Sequence, residues 1–170
     1  MNVEWRPDSP RSDAPAAALL QLSACGLSVV IRAGGAAAAV SADGGGAAGA
    51  GAGGLPTAFR TAILEDTDIE LVVSGWTAND ERRFEEDFGI QTFWCRISEL
   101  QKVAKSVGLP KTGVKALVQA VLEPTAPMPK GKKLPPTVWD SPTLNPAQIK
   151  YGVLDAVCIE HVLRVIEARF

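Results

Sequence analysis

Three acids in this chain stand where a carboxylate can do chemistry. Glu4 lies in the opening MNVEWRP, between Val3 and Trp5. Asp80 follows the apolar run IELVVSG (residues 69–75) through WTAN, at the entry to a helical pattern. Asp155 lies among Val153, Leu154, Ala156 and Val157, where an unpaired carboxylate is costly to bury, so it calls for a partner, a metal or water. Tyr151 precedes Asp155 by four residues, which on an α-helix puts both on one face. Plainer readings stand beside these: Glu4 as a solvated acid on a terminus, Asp80 as a helix cap. Carried on three separate elements, the acids are candidates for convergence on one site.

Those elements must come from the hydrophobic pattern. AALLQLSA (17–24) and LSVVIR (27–32) read as two strands joined by a tight turn at Cys25 and Gly26. Residues 33–54 hold 19 Ala or Gly in 22 positions and read as a flexible insertion in a surface loop. PTAFRTAILED predicts a helix with Phe59, Ile63 and Ala62 on one side, and residues 69–75 form a buried strand. Helices are predicted over 80–88, 97–107, 113–122 and 145–168, with a Pro-rich loop at 124–142. The last helix has a marked start, with Asn145 suited to the N-cap, Pro146 to the first turn and Gln148 to a capping box. Strands first and helices later, with one helix between strands, give an α/β or α+β class with a mixed sheet.

A chain of 170 residues, 46% hydrophobic and 21% charged, has the size and composition of one domain with a sizeable core. No apolar run reaches the roughly 18 to 20 residues of a membrane span, and no signal peptide is legible, so an intracellular protein, nuclear or cytoplasmic, is expected. Cys25, Cys95 and Cys158 are far apart and outside any CxxC arrangement, and are expected to be buried free thiols. Charge is uneven: between residues 101 and 137 seven lysines (Lys102, Lys105, Lys111, Lys115, Lys130, Lys132 and Lys133) face one acid, Glu123. Such a stretch is a solvated face or the footprint of a phosphate backbone. The four tryptophans, Trp5, Trp76, Trp94 and Trp139, are expected in or at the edge of the core before they are expected to stack on bases.

The ordered series VEW, LLQL, VVSGWTANDERRFEEDFGI and VWDSPTLNPAQIKYGVLDA resembles the Werner-type and ribonuclease D-like 3'-5' exonucleases, the tyrosine-bearing (DEDDy) branch of the DEDD superfamily. The resemblance runs almost end to end, interrupted by the Ala/Gly insertion. It implies a ribonuclease H-like mixed sheet flanked by helices, and a two-ion Mg2+ or Mn2+ site that hydrolyses phosphodiesters at the 3' end of DNA or RNA. By position, Glu4, Asp80 and Asp155 match metal-binding acids and Tyr151 the tyrosine that orients the attacking water. The histidine-bearing branch has His five residues before its last Asp, where this chain has Lys150; His161 reads as a helix residue. Lys130, Lys132 and Lys133 would then serve the substrate backbone.

The chain departs from the family in its first motif, which is Asp-x-Glu. Asn2 stands where the metal-bridging aspartate belongs, offering one neutral carbonyl oxygen in place of a carboxylate. By comparison with the family, Met1 begins in mid-strand, and a shortened first strand supports Glu4 less well. Two expectations follow: an exonuclease impaired at Asn2, or a catalytically silent relative that binds nucleic acid or a protein partner.

Overall fold

The alternation in LLQL and LSVVIR is realised as an antiparallel meander in a computed structural model that describes residues 1–5, 17–32, 55–92, 95–109, 113–122, 139 and 143–169. Strand β1 (Asn2–Trp5) pairs with β2 (Ala17–Ala24), and β2 with β3 (Leu27–Arg32). The β2–β3 register runs from Leu19↔Arg32 to Ala24↔Leu27 and closes on the expected two-residue turn, with φ of 53° at Cys25 and 77° at Gly26. Positive φ at both positions gives the primed hairpin turn whose twist matches its strands. Along β1 the pairs are Asn2↔Gln21, Val3↔Leu20 and Glu4↔Leu19, and a bulge intervenes before Trp5↔Ala17.

A second, parallel sheet joins β4 (Glu70–Val73) to β5 (Arg96–Glu99). Parallel neighbours need a crossover, and helix α2 (Ala78–Phe88) lies between them in the chain. The two sheets abut, because the Met1 amine donates to the Val72 carbonyl at 2.6 Å. At Met1, just ahead of β1, the three-stranded sheet, in the order β1, β2, β3, thus meets β4 of the two-stranded one.

Successive residues of each strand face opposite layers, as a period of two requires. Val3, Leu20, Leu22, Ile31, Leu71, Val73 and Ile97 meet Phe84 and Phe88 of α2, together with Leu64 from the preceding helical segment. That segment starts as α1 (Thr57–Phe59) and widens into a π-helical turn, Arg60–Leu64, closed by Glu65 N–H to Arg60 O at 3.0 Å. The wider turn leaves Ala62 exposed, although a regular helix would have grouped it with Phe59 and Ile63. On the other face, Leu19 packs with Trp139, and Val72 lies against a cluster built from α3 (Leu100–Ser106), α4 (Val114–Val121) and α5 (Pro146–Arg169). The result is a mixed α/β fold with helices on both sides of the strands.

Helix α5 opens as its sequence predicts: Gln148 N–H donates to Asn145 Oδ1 at 3.0 Å, and Asn145 N–H to Gln148 Oε1 at 2.7 Å. The helix expected over 97–107 is corrected, since its first residues belong to β5 and α3 begins only at Leu100. Ile97 joins the core while Arg96 and Ser98 both meet Glu70 across the parallel pair, and Glu99 caps α3 by accepting from Lys102 N–H at 3.2 Å. A single apolar residue between polar ones fits either period, and the strand pairing decided it. The insertion at 33–54 and, apart from Trp139, the Pro-rich segment 124–142 lie outside the described residues. Among the described residues no helix is long and apolar enough to cross a membrane.

Candidate functional site

Strand β1 carries Asn2, whose Nδ2 donates to Gln21 Oε1 at 2.8 Å. Gln21 is fully buried in β2, and its Nε2 has no hydrogen-bond partner among the described residues. A Cβ placed on Gly152 of α5 would stand 3.8 Å from that Nε2, 3.6 Å from Leu19 Cδ1 and 3.7 Å from Trp139 Cη2. Gln21 thus stands between Asn2 and the Gly152 turn of α5. Tyr151 and Asp155 flank Gly152 on that helix. Both are half-buried, the Tyr151 ring lies 6.1 Å from that of Trp139, and Asp155 Oδ1 is enclosed.

From the other side comes Asp80. Strand β4 is followed by Ser74 and Gly75, and the positive φ of 73° at Gly75 turns the chain towards α2. Gly75 N–H is held by Glu99 Oε1 at 2.7 Å. Thr77 then caps α2, and Asp80 closes a capping box, its Oδ2 accepting from Thr77 N–H at 2.9 Å and from Thr77 Oγ1–H at 2.6 Å. The capping reading of Asp80 is therefore realised, and it leaves the side chain at the site: Asn2, Ser74, Gly75, Trp76 and Asp80 line one cavity of about 160 Å³. Trp76 walls it and stacks edge-on against Phe84, with ring centroids 5.6 Å apart.

Asn2 and Asp80 are thus brought together, and Asp155 and Tyr151 lie on the helix that Asn2 reaches through Gln21. Glu4 pairs with Leu19 in backbone register, two residues along β1 from Asn2; its side chain is outside the described residues, as are Lys130, Lys132 and Lys133. Among the described residues, no three His, Cys, Asp or Glu side chains are grouped as they are around an ion. Sequence reading missed Gln21, while Trp76, expected in or at the edge of the core, packs against the core. A lone polar residue inside the apolar run LLQL was the available signal for Gln21.

Beside this cavity a second one, of about 270 Å³, holds Glu81, Thr92, Cys95, Glu99 and Lys102. The buried Thr92 hydroxyl lies 2.7 Å from Glu81 Oε1 and 2.9 Å from Glu85 Oε1, tying the chain after α2 back onto the helix. Burial and then the carboxylates of Glu65 and Glu85 push the Cys95 thiol pKa up. Cys95 and Cys158 are buried as expected, but Cys25 is exposed, because the primed turn of the hairpin lifts it away from both layers.

Comparison with protein-family models, curated proteins and solved structures finds no match to the chain in any of the three.

Proposed function

We propose that the chain is a 3'-5' exonuclease-type module of the DEDDy branch, acting on nucleic acid and impaired by Asn2 at the first metal-ligand position. The observation that carries this reading is that Asn2 and Asp80 line one cavity, with Asn2 hydrogen-bonded to Gln21, which faces the α5 turn that bears Tyr151 and Asp155. An antiparallel meander β1–β2–β3, met at Met1 by the parallel pair β4–β5, supports a ribonuclease H-like arrangement. Strand alternation gives positions 2 and 4 of β1 the same face.

The donor chemistry fits Mg2+ or Mn2+, since carboxylate and amide carbonyl oxygens are hard ligands. Glu4, Asp80 and Asp155 would hold the ions, and Asn2 would offer a neutral oxygen. When bound, such a pair lowers the pKa of a water and stabilises the attacking and leaving oxygens. The protein's own residues do the rest. Trp76 walls the cavity, Tyr151 is held by Trp139 where it can orient a water, and the lysines at 130, 132 and 133 neutralise the strand's phosphates.

Asn2 would give such a site one negative charge fewer than an aspartate there would. The Asn2 amide also spends its Nδ2 on Gln21, an arrangement that favours, as second reading, a silent relative that binds a strand without cutting it. The test is release of mononucleotides from a 3'-labelled strand with Mg2+ or Mn2+, beside binding of the intact strand. Slow, metal-dependent release abolished by Asp155→Ala supports the exonuclease. Tight binding with no release at any metal concentration supports the silent relative, and neither binding nor release refutes both.

A further inference from the structure

Two polar residues among the described ones are buried, Gln21 and Thr92. Thr92 is satisfied by Glu81 and Glu85, whereas Gln21 keeps Nε2 without a hydrogen-bond partner among the described residues. The surroundings of that nitrogen are apolar: Leu19, the Trp139 ring and the Gly152 turn of α5. An unpaired buried donor costs stability, and an apolar side chain of the same length would carry no such cost. Packing therefore does not account for an amide at position 21. What remains is its bond to Asn2.

That bond fixes an orientation. Asn2 and Gln21 stand directly opposite each other in the β1–β2 register, so their side chains leave the sheet on the same face. With Asn2 Nδ2 turned across to Gln21 Oε1 at 2.8 Å, the other branch of the planar Asn2 amide, Oδ1, is turned away from β2. The cavity that Asn2 shares with Asp80 is lined by β1, by Val73 at the end of β4 and by Ser74, Gly75 and Trp76, and by none of the described residues of β2. Gln21 is itself fully buried, and the Gly152 turn, Leu19 and Trp139 close around its amide and hold it in place.

We propose that Gln21 is a positioning residue for the candidate site: its buried carbonyl holds the Asn2 nitrogen, so that position 2 offers an oxygen to the cavity it shares with Asp80. The inference rests on the reading of that cavity as part of a Mg2+ or Mn2+ site, and it names what decides which atom of position 2 a cation meets. Without Gln21 either end of the Asn2 amide can face the cavity, and an N–H donor repels a cation. An aspartate at position 2 would use the other end of Gln21, accepting from the Nε2 that now has no partner.

Two measurements test this, neither of them of hydrolysis. In the unsubstituted chain, NMR should show the Asn2 side-chain amide protons protected from exchange, and Mg2+ should shift the Asn2 side-chain carbonyl carbon without releasing those protons. Calorimetric titration with Mn2+ then compares the chain with Gln21→Met, which keeps the length of the side chain and removes its acceptor, and with Asp155→Ala. Gln21→Met should weaken Mn2+ binding about tenfold without lowering the thermal midpoint of the metal-free protein, and should cause the same loss in the Asn2→Asp background. Freely exchanging Asn2 amide protons, or Mn2+ binding undiminished by Gln21→Met in both backgrounds, overturns the proposal. If Asp155→Ala still weakens Mn2+ binding in that case, the ion-site reading stands without it. No Mn2+ binding by the chain or by Asn2→Asp overturns both. Where Gln21→Met lowers the midpoint, the NMR result on the unsubstituted chain decides.

Discussion

Asn2 and Gln21, side by side on β1 and β2, are joined amide to amide: Asn2 Nδ2 donates to Gln21 Oε1 at 2.8 Å, and Gln21 Nε2 is left against α5. A half-turn of the Gln21 amide exchanges its donor and acceptor with little change of shape. Gln21 can therefore meet either an amide or a carboxylate at position 2, donating Nε2 to the latter. The surroundings of position 2 suit an aspartate as well as they suit the asparagine that is there.

Asp80 has two roles that two substitutions separate. Asp80→Ala removes the acceptor for Thr77 N–H and should destabilise the fold by about 1 kcal/mol, the usual worth of a cap. Asp80→Asn keeps an acceptor oxygen and should leave the urea midpoint nearly unchanged while abolishing metal-dependent hydrolysis. If Asp80→Asn retains hydrolysis, Asp80 is a cap alone.

Gly152 sits mid-helix in α5, and a Cβ there meets nothing closer than 3.6 Å. Gly152→Ala should therefore stabilise by about 0.5 to 1 kcal/mol, through the lower entropy of the unfolded chain. A fall in thermal midpoint would show that the helix cannot spare this space against Gln21 and Trp139.

Stability should change with pH on two limbs. Burial pushes the Met1 amine from 8.0 down to about 6, against the opposing pull of the Glu160 carboxylate. Between these values the unfolded chain holds more protons than the folded one, so stability rises as pH goes from about 6 to 8. Burial alone would raise the Glu160 carboxyl, but the hydrogen bonds from Ser23 and Gly26, with Arg164 and His161, hold it below its usual 4.5. Its contribution is complete above 4.5 and is lost as pH falls through the lowered folded value. Urea midpoints across pH check both limbs: acetylating the Met1 amine should flatten the upper one, whereas Glu160→Gln should remove the lower one and, by withdrawing the carboxylate's pull on the amine, steepen the upper.

One thiol should react quickly with a disulfide reagent in the folded chain, and Cys25→Ser should remove that reaction. Cys95 and Cys158 should react only after denaturation, since both are buried and the thiol of Cys95 is held protonated. Fast reaction of more than one thiol at neutral pH would contradict the packing around α2 and α5.

What was legible in the sequence was whatever local chemistry fixes. The cap of α5 is written in Asn145, Pro146 and Gln148, and the Cys25–Gly26 turn lies between two runs of strand-forming residues. The parts that were not legible depend on partners distant in the chain. Ile97 is strand because Leu71 stands opposite it, with the Arg96 and Ser98 side chains on either side both bound to Glu70, and the π turn at Arg60–Leu64 is held by Arg60 reaching Glu65 at 2.7 Å and Gly89 O at 3.0 Å. Of the site, Asp80 and Asn2 were chosen from motif order, and the structure brings them to one cavity. Gln21 stayed hidden because its importance lies in what it touches across the strand.

The most direct measurement is metal-dependent hydrolysis of a 3'-labelled strand by the chain, by Asn2→Asp, and by Asn2→Asp combined with Asp155→Ala. If one missing charge at the shared ligand position limits the reaction, Asn2→Asp should raise the rate by orders of magnitude, and the double variant should lose the gain. Asp and Asn are nearly isosteric, and Gln21 can turn to donate to the new carboxylate, so the change is one of charge more than of shape. A folded Asn2→Asp chain that binds manganese and still releases no mononucleotide would contradict the account.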